Sequence, residues 1–179
     1  MQPTEDLMTE HRAIERMLAI LEAISGRLEE GEATDARHLE QIIEFLQVFG
    51  DRCHHAKEED LLLPAMEDAG VPREGLIAAL IAEHEESRGH VRGIADGLAS
   101  LRVGDAGASR IVEHAGAYVR LIRAHIAKED GELYPLADRV LSDPRQEALE
   151  EGFERIEHDV IGAGRHEAFH ALLDELESA

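Results

Sequence analysis

Apolar side chains in this chain recur at alternating intervals of four and three residues, and that spacing limits the possible folds more than any other feature. Leu7, His11, Ile14, Leu18, Leu21, Ser25 and Leu28 follow it near the N-terminus, the seam of a helix packed in a bundle. Thr4 is the expected N-cap of this helix and Gly31 its expected stop. A second helix starts at Thr34 or Asp35 and carries Leu39, Ile43, Leu46 and Gly50 toward His54 and Glu58. A third follows "GVPREG" (70–75), with Ile77, Leu80, His84, Ser87 and Val91 on its stripe. After "RVGDAGAS" (102–109), a fourth starts near Ala108 and aligns Ile111, Ala115, Tyr118, Ile122, His125 and Glu129. Aromatic residues make up only 3% and nothing alternates over a strand's length, so the period is helical throughout.

Four long amphipathic helices with short connections predict an all-α, antiparallel up-down four-helix bundle over residues 1–141. Residues 142–179 add two accessory helices packed on the same domain. "SDPRQE" opens the first of them, with Asp143 as N-cap, Pro144 at the first helical position and Gln146 closing a capping box. "GAGR" (162–165) separates it from the second.

Charge and cysteine usage narrow the function classes. Against 39 acidic residues stand 18 basic ones, and a net charge of −21 argues against nucleic-acid and membrane partners. A single cysteine, Cys53, rules out an intrachain disulfide and a cysteine-based zinc cluster. "MQPTEDLMTEH" lacks the basic and apolar stretches of a signal peptide, and a cytoplasmic location is expected. Eleven histidines point toward metal.

The histidines stand where core residues should be. His11, His84 and His125 lie on buried stripes, and His54 takes the matching place on the second helix. Moreover, "CHHAKEEDLLLP" (53–64) and "HIAKEDGELYP" (125–135) are one word written twice: His54 matches His125, Lys57 matches Lys128, Glu58 matches Glu129 and Pro64 matches Pro135. A glutamate four residues after a histidine lies about 40° from it on the helical wheel, so both face one interior point. Two buried carboxylates without cations would cost several kcal/mol, or take up protons. A metal removes that cost.

The wheel also suggests how many ions are held. His55 lies about 100° from His54 with Glu58 between them, an arrangement suited to a bridging carboxylate. The inventory is His11, His54, His55, His84 and His125, with Glu58 and Glu129 bridging. Two six-coordinate ions offer twelve positions. Five nitrogens, four carboxylate oxygens and a solvent bridge counted once for each ion leave one open, which suits a small ligand. His90 competes with His55 for the fifth nitrogen but lies about 120° around the wheel from His84. Glu15 is a further candidate ligand or support, while Glu59, Asp60 and Asp130 read as supporting or solvated charges. Tyr118 and Cys53 read as packing residues, and His38, His114 and His158 as surface residues.

With these residues in place, the sequence resembles the hemerythrin-like HHE cation-binding family. The resemblance rests on "EHRAIERM" (His11), "CHHAKEEDLLLP" (His54, His55, Glu58), "EHEESRGHV" (His84) and "HIAKEDGELYP" (His125, Glu129), over roughly residues 5–140. It implies a four-helix bundle holding two non-haem iron ions, carboxylate- and oxo- or hydroxo-bridged. The uses it implies are O2 binding, sensing, iron handling, and peroxide or nitric oxide chemistry. The family's oxygen carriers place a second histidine four residues after the one on the third helix, where this chain has Arg88. Their final ligand is aspartate where this chain has Glu129. Both departures favour the His-His-Glu variant over simple oxygen carriage. The donor types alone, imidazole and carboxylate without thiolate, suit iron, manganese or zinc.

Three rival readings have sequence support. "HEAFH" (166–170) matches the HExxH arrangement of zinc hydrolases, although only nine residues follow His170 to supply a third ligand. A ferritin-like oxidase would use paired Glu-x-x-His motifs, and the one match, Glu167 to His170, lies outside the bundle. An oxygen, redox or iron sensor without turnover would use the acidic surface and C-terminal helices to contact a protein partner. The expectation carried forward is a di-iron protein whose ligand is a small diatomic molecule or peroxide.

Overall fold

The computed structural model describes residues 2–103, 107–162 and 164–179, and the regular elements among them are all helices. Helix α1 spans Pro3–Glu29. It starts earlier than expected, because Gln2 is extended and Pro3 takes the first turn, where a missing N–H costs nothing. The Glu5 carboxylate accepts from the Gln2 N–H at 3.0 Å. Thr4, expected as the cap, lies inside the helix and donates to Asp138 at 2.8 Å.

Gly31 (φ 77°) turns the chain, and Asp35 caps the next helix by accepting from the Arg37 N–H at 2.9 Å. Helix α2 covers 36–68: Ala36–Phe45 is α-helical, Leu46–His55 and Glu58–Leu62 are π-helical, and Leu63–Asp68 is α-helical again. A turn at Arg73–Ile77, broken at Glu74 and at Gly75 (φ 98°), leads into α3, Ala78–Val103. Helix α4 covers 107–140, with a π-helical stretch at Glu129–Leu133 between Gly107–Lys128 and Tyr134–Val140. Helices occupy both ends of the connection expected at 102–109, and its centre, 104–106, lies outside the described residues.

Helix α5 covers 143–161 and α6 is Arg165–Glu177, after Gly162 and Gly164 at φ 89° and 81°. Ser142, not Asp143, is the N-cap of α5. Pro144 tolerates the shift because neither of the first two helical N–H groups has an intrahelical partner. Gln146 then donates to the Leu141 carbonyl at 3.1 Å instead of closing a capping box.

Two apolar clusters form the interior. The larger includes Ile14, Leu18, Phe45, Phe49, Ile94 and Ile122, and α6 adds Phe169 and Leu173 to it. The smaller joins Leu7, Leu62, Leu80, Leu133 and Tyr134, and α5 adds Phe153. Along α1 and α3 the chain passes from the smaller cluster to the larger, and along α2 and α4 it passes back. Helix α3 lies against α4 so closely that a methyl group on Gly107 would overlap the Gly97 carbonyl oxygen. Helices α5 and α6 pack on α1 and α2. No helix among the described residues is long and apolar enough to cross a membrane.

Candidate metal centre

Between the two clusters lies a belt of ionisable side chains: His11 from α1, His54, His55 and Glu58 from α2, His84 from α3, and His125 and Glu129 from α4. All seven are buried. Their nitrogens and oxygens fall into groups whose atoms lie within 4.8 Å of one another. One group is His11, His54, Glu58 and Glu129; a second is Glu58, His84, His125 and Glu129; a third joins His55 to His84 and His125. The belt therefore has two foci that share both carboxylates, one with two imidazoles and one with three.

The inward nitrogens crowd together. Nε2 of His11 lies 2.9 Å from Nε2 of His54, and Nε2 of His84 lies 3.0 Å from Nε2 of His125. Glu129 reaches His125 at 2.9 Å and His11 at 3.2 Å, while Glu58 reaches His84 at 3.4 Å and His54 at 3.7 Å. The His55 ring stacks on His84 with centroids 3.9 Å apart.

The outward nitrogens are held just as systematically. Nδ1 of His11 meets Asp130 at 2.7 Å, His54 meets Glu10 at 2.8 Å, His84 meets Glu59 at 2.7 Å and His125 meets Glu83 at 2.8 Å. Each carboxylate is in turn held by a cation: Asp130 by Arg12, Glu10 by Lys57, Glu59 by Arg88 and Glu83 by Lys128. An Nδ1–H that donates to a carboxylate leaves Nε2 as the ligating atom and fixes the ring plane.

The repeated word explains its own local fold. Pro64 and Pro135 each lack an N–H and would clash with a carbonyl four residues back in an α-helix. The chain widens instead, and the N–H groups of Leu63 and Tyr134 reach back five residues to the carbonyls of Glu58 and Glu129. Both shared carboxylates thus open a π-helical turn, a form concentrated at functional sites.

Charge in the belt is unbalanced. Oε2 of Glu58 and both carboxylate oxygens of Glu129 are buried with no hydrogen-bond partner among the described residues. Burial lowers the His11 and His84 imidazoles, but the carboxylates around them outweigh it: Asp130 and the nearby Glu129 hold His11 up at about 9, and Glu129, Glu58 and Glu59 hold His84 at about 11. His125 is raised against burial by Glu129. Burial raises the Glu129 carboxyl, but His11, His125 and His84 outweigh it and hold the group well below the usual range. His55 goes the other way, depressed by burial and by the positive charge of His84, His54 and His125. The carboxylates draw in positive charge, and a cation would supply it in place of protons. Imidazole and carboxylate without thiolate suits iron, manganese or zinc.

The other candidates lie elsewhere. His90 pairs with His114 at 3.1 Å, away from the belt, and His114 is half-buried against Gly93, not a surface residue. Glu15 is half-buried beside Arg12, and Asp60 is exposed. Glu59 and Asp130 support imidazoles as described, and Cys53 packs with its Sγ 3.8 Å from Glu10. His38 is half-buried, and His158 is exposed. In "HEAFH", His166 and His170 lie 4.9 Å apart against Phe49, and no third potential ligand joins them among the described residues.

Sequence reasoning missed Glu10, Glu83 and Tyr134. Glu10 and Glu83 each precede a histidine, in the shared pair "EH" (10–11 and 83–84). Tyr134 stands where the first copy of the word has Leu63. Its buried hydroxyl donates to Glu58 Oε1 at 2.7 Å and lies 3.2 Å from His11 Nε2.

A helical protein with histidines and shared carboxylates buried between two apolar clusters belongs to the class of cation-binding helical proteins. The hemerythrin HHE cation-binding domain matches residues 2–137, and the chain belongs to that family. Among its relatives are uncharacterized proteins of Mycobacterium tuberculosis (strains CDC 1551 and H37Rv) and Mycobacterium bovis. Each is 27% identical over 175 residues, covering 96% of this chain and 66% of the relative. The chain thus spans slightly less than two thirds of these relatives' length. No solved structure gives a significant match to the chain.

Proposed function

We propose that this chain is a non-haem di-iron protein that binds O2 or reacts with peroxide or nitric oxide, and that α1–α4 form an antiparallel up-down four-helix bundle around its two irons. The alternating passage of the four helices between the two apolar clusters supports the bundle. One iron would be held by His11 and His54, the other by His55, His84 and His125, with Glu58 and Glu129 bridging. The observation that carries this reading is the set of three carboxylate oxygens, without a hydrogen bond among the described residues, buried among five imidazoles. When bound, the irons supply redox activity and Lewis acidity toward a small ligand. The chain's own residues do the rest. The outer carboxylates fix each imidazole, the apolar clusters exclude water from both ends, and Tyr134 holds a proton beside His11 at the two-imidazole focus. We place the protein in the cytoplasm.

The deciding measurement is metal content per chain of untagged protein, with absorption spectra recorded anaerobically and after air is admitted. Two irons and a new oxygen-dependent charge-transfer band are expected. One zinc and an unchanged spectrum would overturn the reading.

One contact favours a sensor as the second reading. His54 is tied through Glu10 to Lys57, and Lys57 binds Glu157 of α5 at 2.5 Å. A change at the centre would thereby reach the C-terminal helices and a protein partner. Stoichiometric O2 binding without turnover would favour it, and rapid peroxide consumption would favour an enzyme.

A further inference from the structure

A cavity of about 240 Å³ opens between α2 and α3, with Tyr118 of α4 in its lining, and reaches His55. Three of its lining residues are arginines, Arg52, Arg88 and Arg92, and its one carboxylate, Asp51, is already bound to Arg88 at 2.8 Å. On a chain of net charge −21, a concavity with this balance stands out as a place that attracts anions. Arg88 is fully engaged by Asp51 and Glu59. By contrast, Arg52 makes no ion pair among the described residues, and Arg92 comes only within 3.6 Å of Glu85. Both therefore have donors to spare.

Tyr118 supplies an independent observation. Its side chain is 3% exposed, yet its hydroxyl has no hydrogen-bond partner among the described residues and borders the cavity. The hydroxyl oxygen is not sealed off from solvent, so its donor is available to whatever occupies the cavity. Gly50 leaves room above it, since a Cβ there would come to 4.0 Å from the hydroxyl oxygen.

We propose that this cavity is a binding site for a small oxyanion, a carboxylate or phosphate, received by Arg52, Arg92 and the Tyr118 hydroxyl. Planar guanidinium groups and a hydroxyl donor match the oxygen edge of such an anion. The ligand lies beside His55, at the three-imidazole focus. It thus occupies a place separate from the two-imidazole focus, where the coordination count leaves a position for O2 or peroxide. Its influence on reactivity rests on the di-iron reading, whereas its binding does not.

The test is calorimetric titration of the full chain, at fixed ionic strength in chloride, with sodium acetate and with sodium phosphate. Metal-loaded and metal-stripped protein are run in parallel, with metal content measured on each. One site per chain is expected for at least one anion, and the preferred anion identifies the source as carboxylate or phosphate. Affinity should fall about tenfold or more in R52Q/R92Q, and about threefold to tenfold in Y118F. The charge-matched R110Q/R123Q control, at exposed arginines away from the cavity, should bind as the parent does. Circular dichroism and thermal melting confirm that the variants fold. Absence of heat with both anions would overturn the proposal. So would equal weakening in the control, or binding that depends on metal but not on the cavity residues. Metal present without anion binding would sink the cavity alone, and cavity-dependent binding in protein that never holds metal would sink the centre alone.

Discussion

The α1–α2 half and the α3–α4 half of the belt are built from the same words and finished differently. Each supplies an "EH" pair and a His-x-x-Lys-Glu run, and each crosses its carboxylates to the other's imidazoles or its own in the same pattern. Yet Lys57 is fully buried, gripped by Glu10 and by Glu157 of α5 and covered by Phe153, whose ring centroid is 5.4 Å away. Lys128, its counterpart, is 35% exposed and holds Glu83 alone. The α2–α3 side carries the cavity, and the first half has Leu63 where the second has Tyr134. A repeat can fix the ligand geometry while later additions to the chain decide which half meets solvent.

Glu58 and Glu129 are common to both foci, so the largest effect should come from removing either. Glu58→Ala and Glu129→Ala are each expected to lose at least one metal per chain, read by elemental analysis, and to destabilise the fold. Full metal retention in both would break the account of the belt.

The lysines test the asymmetry itself. Lys57→Met should cost about 3–5 kcal/mol in urea unfolding, because it strands the Glu10 carboxylate in the interior. Lys128→Met should cost about 0–1 kcal/mol, as a partly exposed pair does. Equal costs would mean that α5 does not distinguish the halves.

Tyr134→Phe removes a donor from Glu58 Oε1 and should cost about 1–2 kcal/mol while metal content holds. Its effect should be seen in the oxygen-dependent absorption band, and an unchanged band would make the tyrosine a packing residue. His166→Ala should do least, leaving metal content unchanged and stability within about 1 kcal/mol. Loss of metal there would return "HEAFH" to consideration.

The sequence was legible where a single helix carries the information. The four-three seams located the long helices and put His11 and His84 on buried stripes, and the repeated word supplied the other five residues of the belt, His54, His55, Glu58, His125 and Glu129. It was not legible where two helices must meet. Glu10 and Glu83 lie off the histidine stripe of their own helices and gain their meaning from His54 and His125 across the interface. The wide turns at Glu58 and Glu129 follow from a proline several residues downstream, which helical periodicity ignores. Ser142 and Asp143 are equally suited to capping, and Pro144 admits either, so the start of α5 could not be fixed to one residue.

The division of the interior into two apolar clusters bears on how this molecule comes apart. Each cluster can hold its own end of the helices together, and the ends meet across a layer whose charges oppose close packing. Without a cation that layer is a natural fault plane, along which one end can open while the other stays shut. Filling it converts two weakly coupled ends into a single cooperative unit, so occupancy of the centre would govern whether the chain unfolds in one step or two.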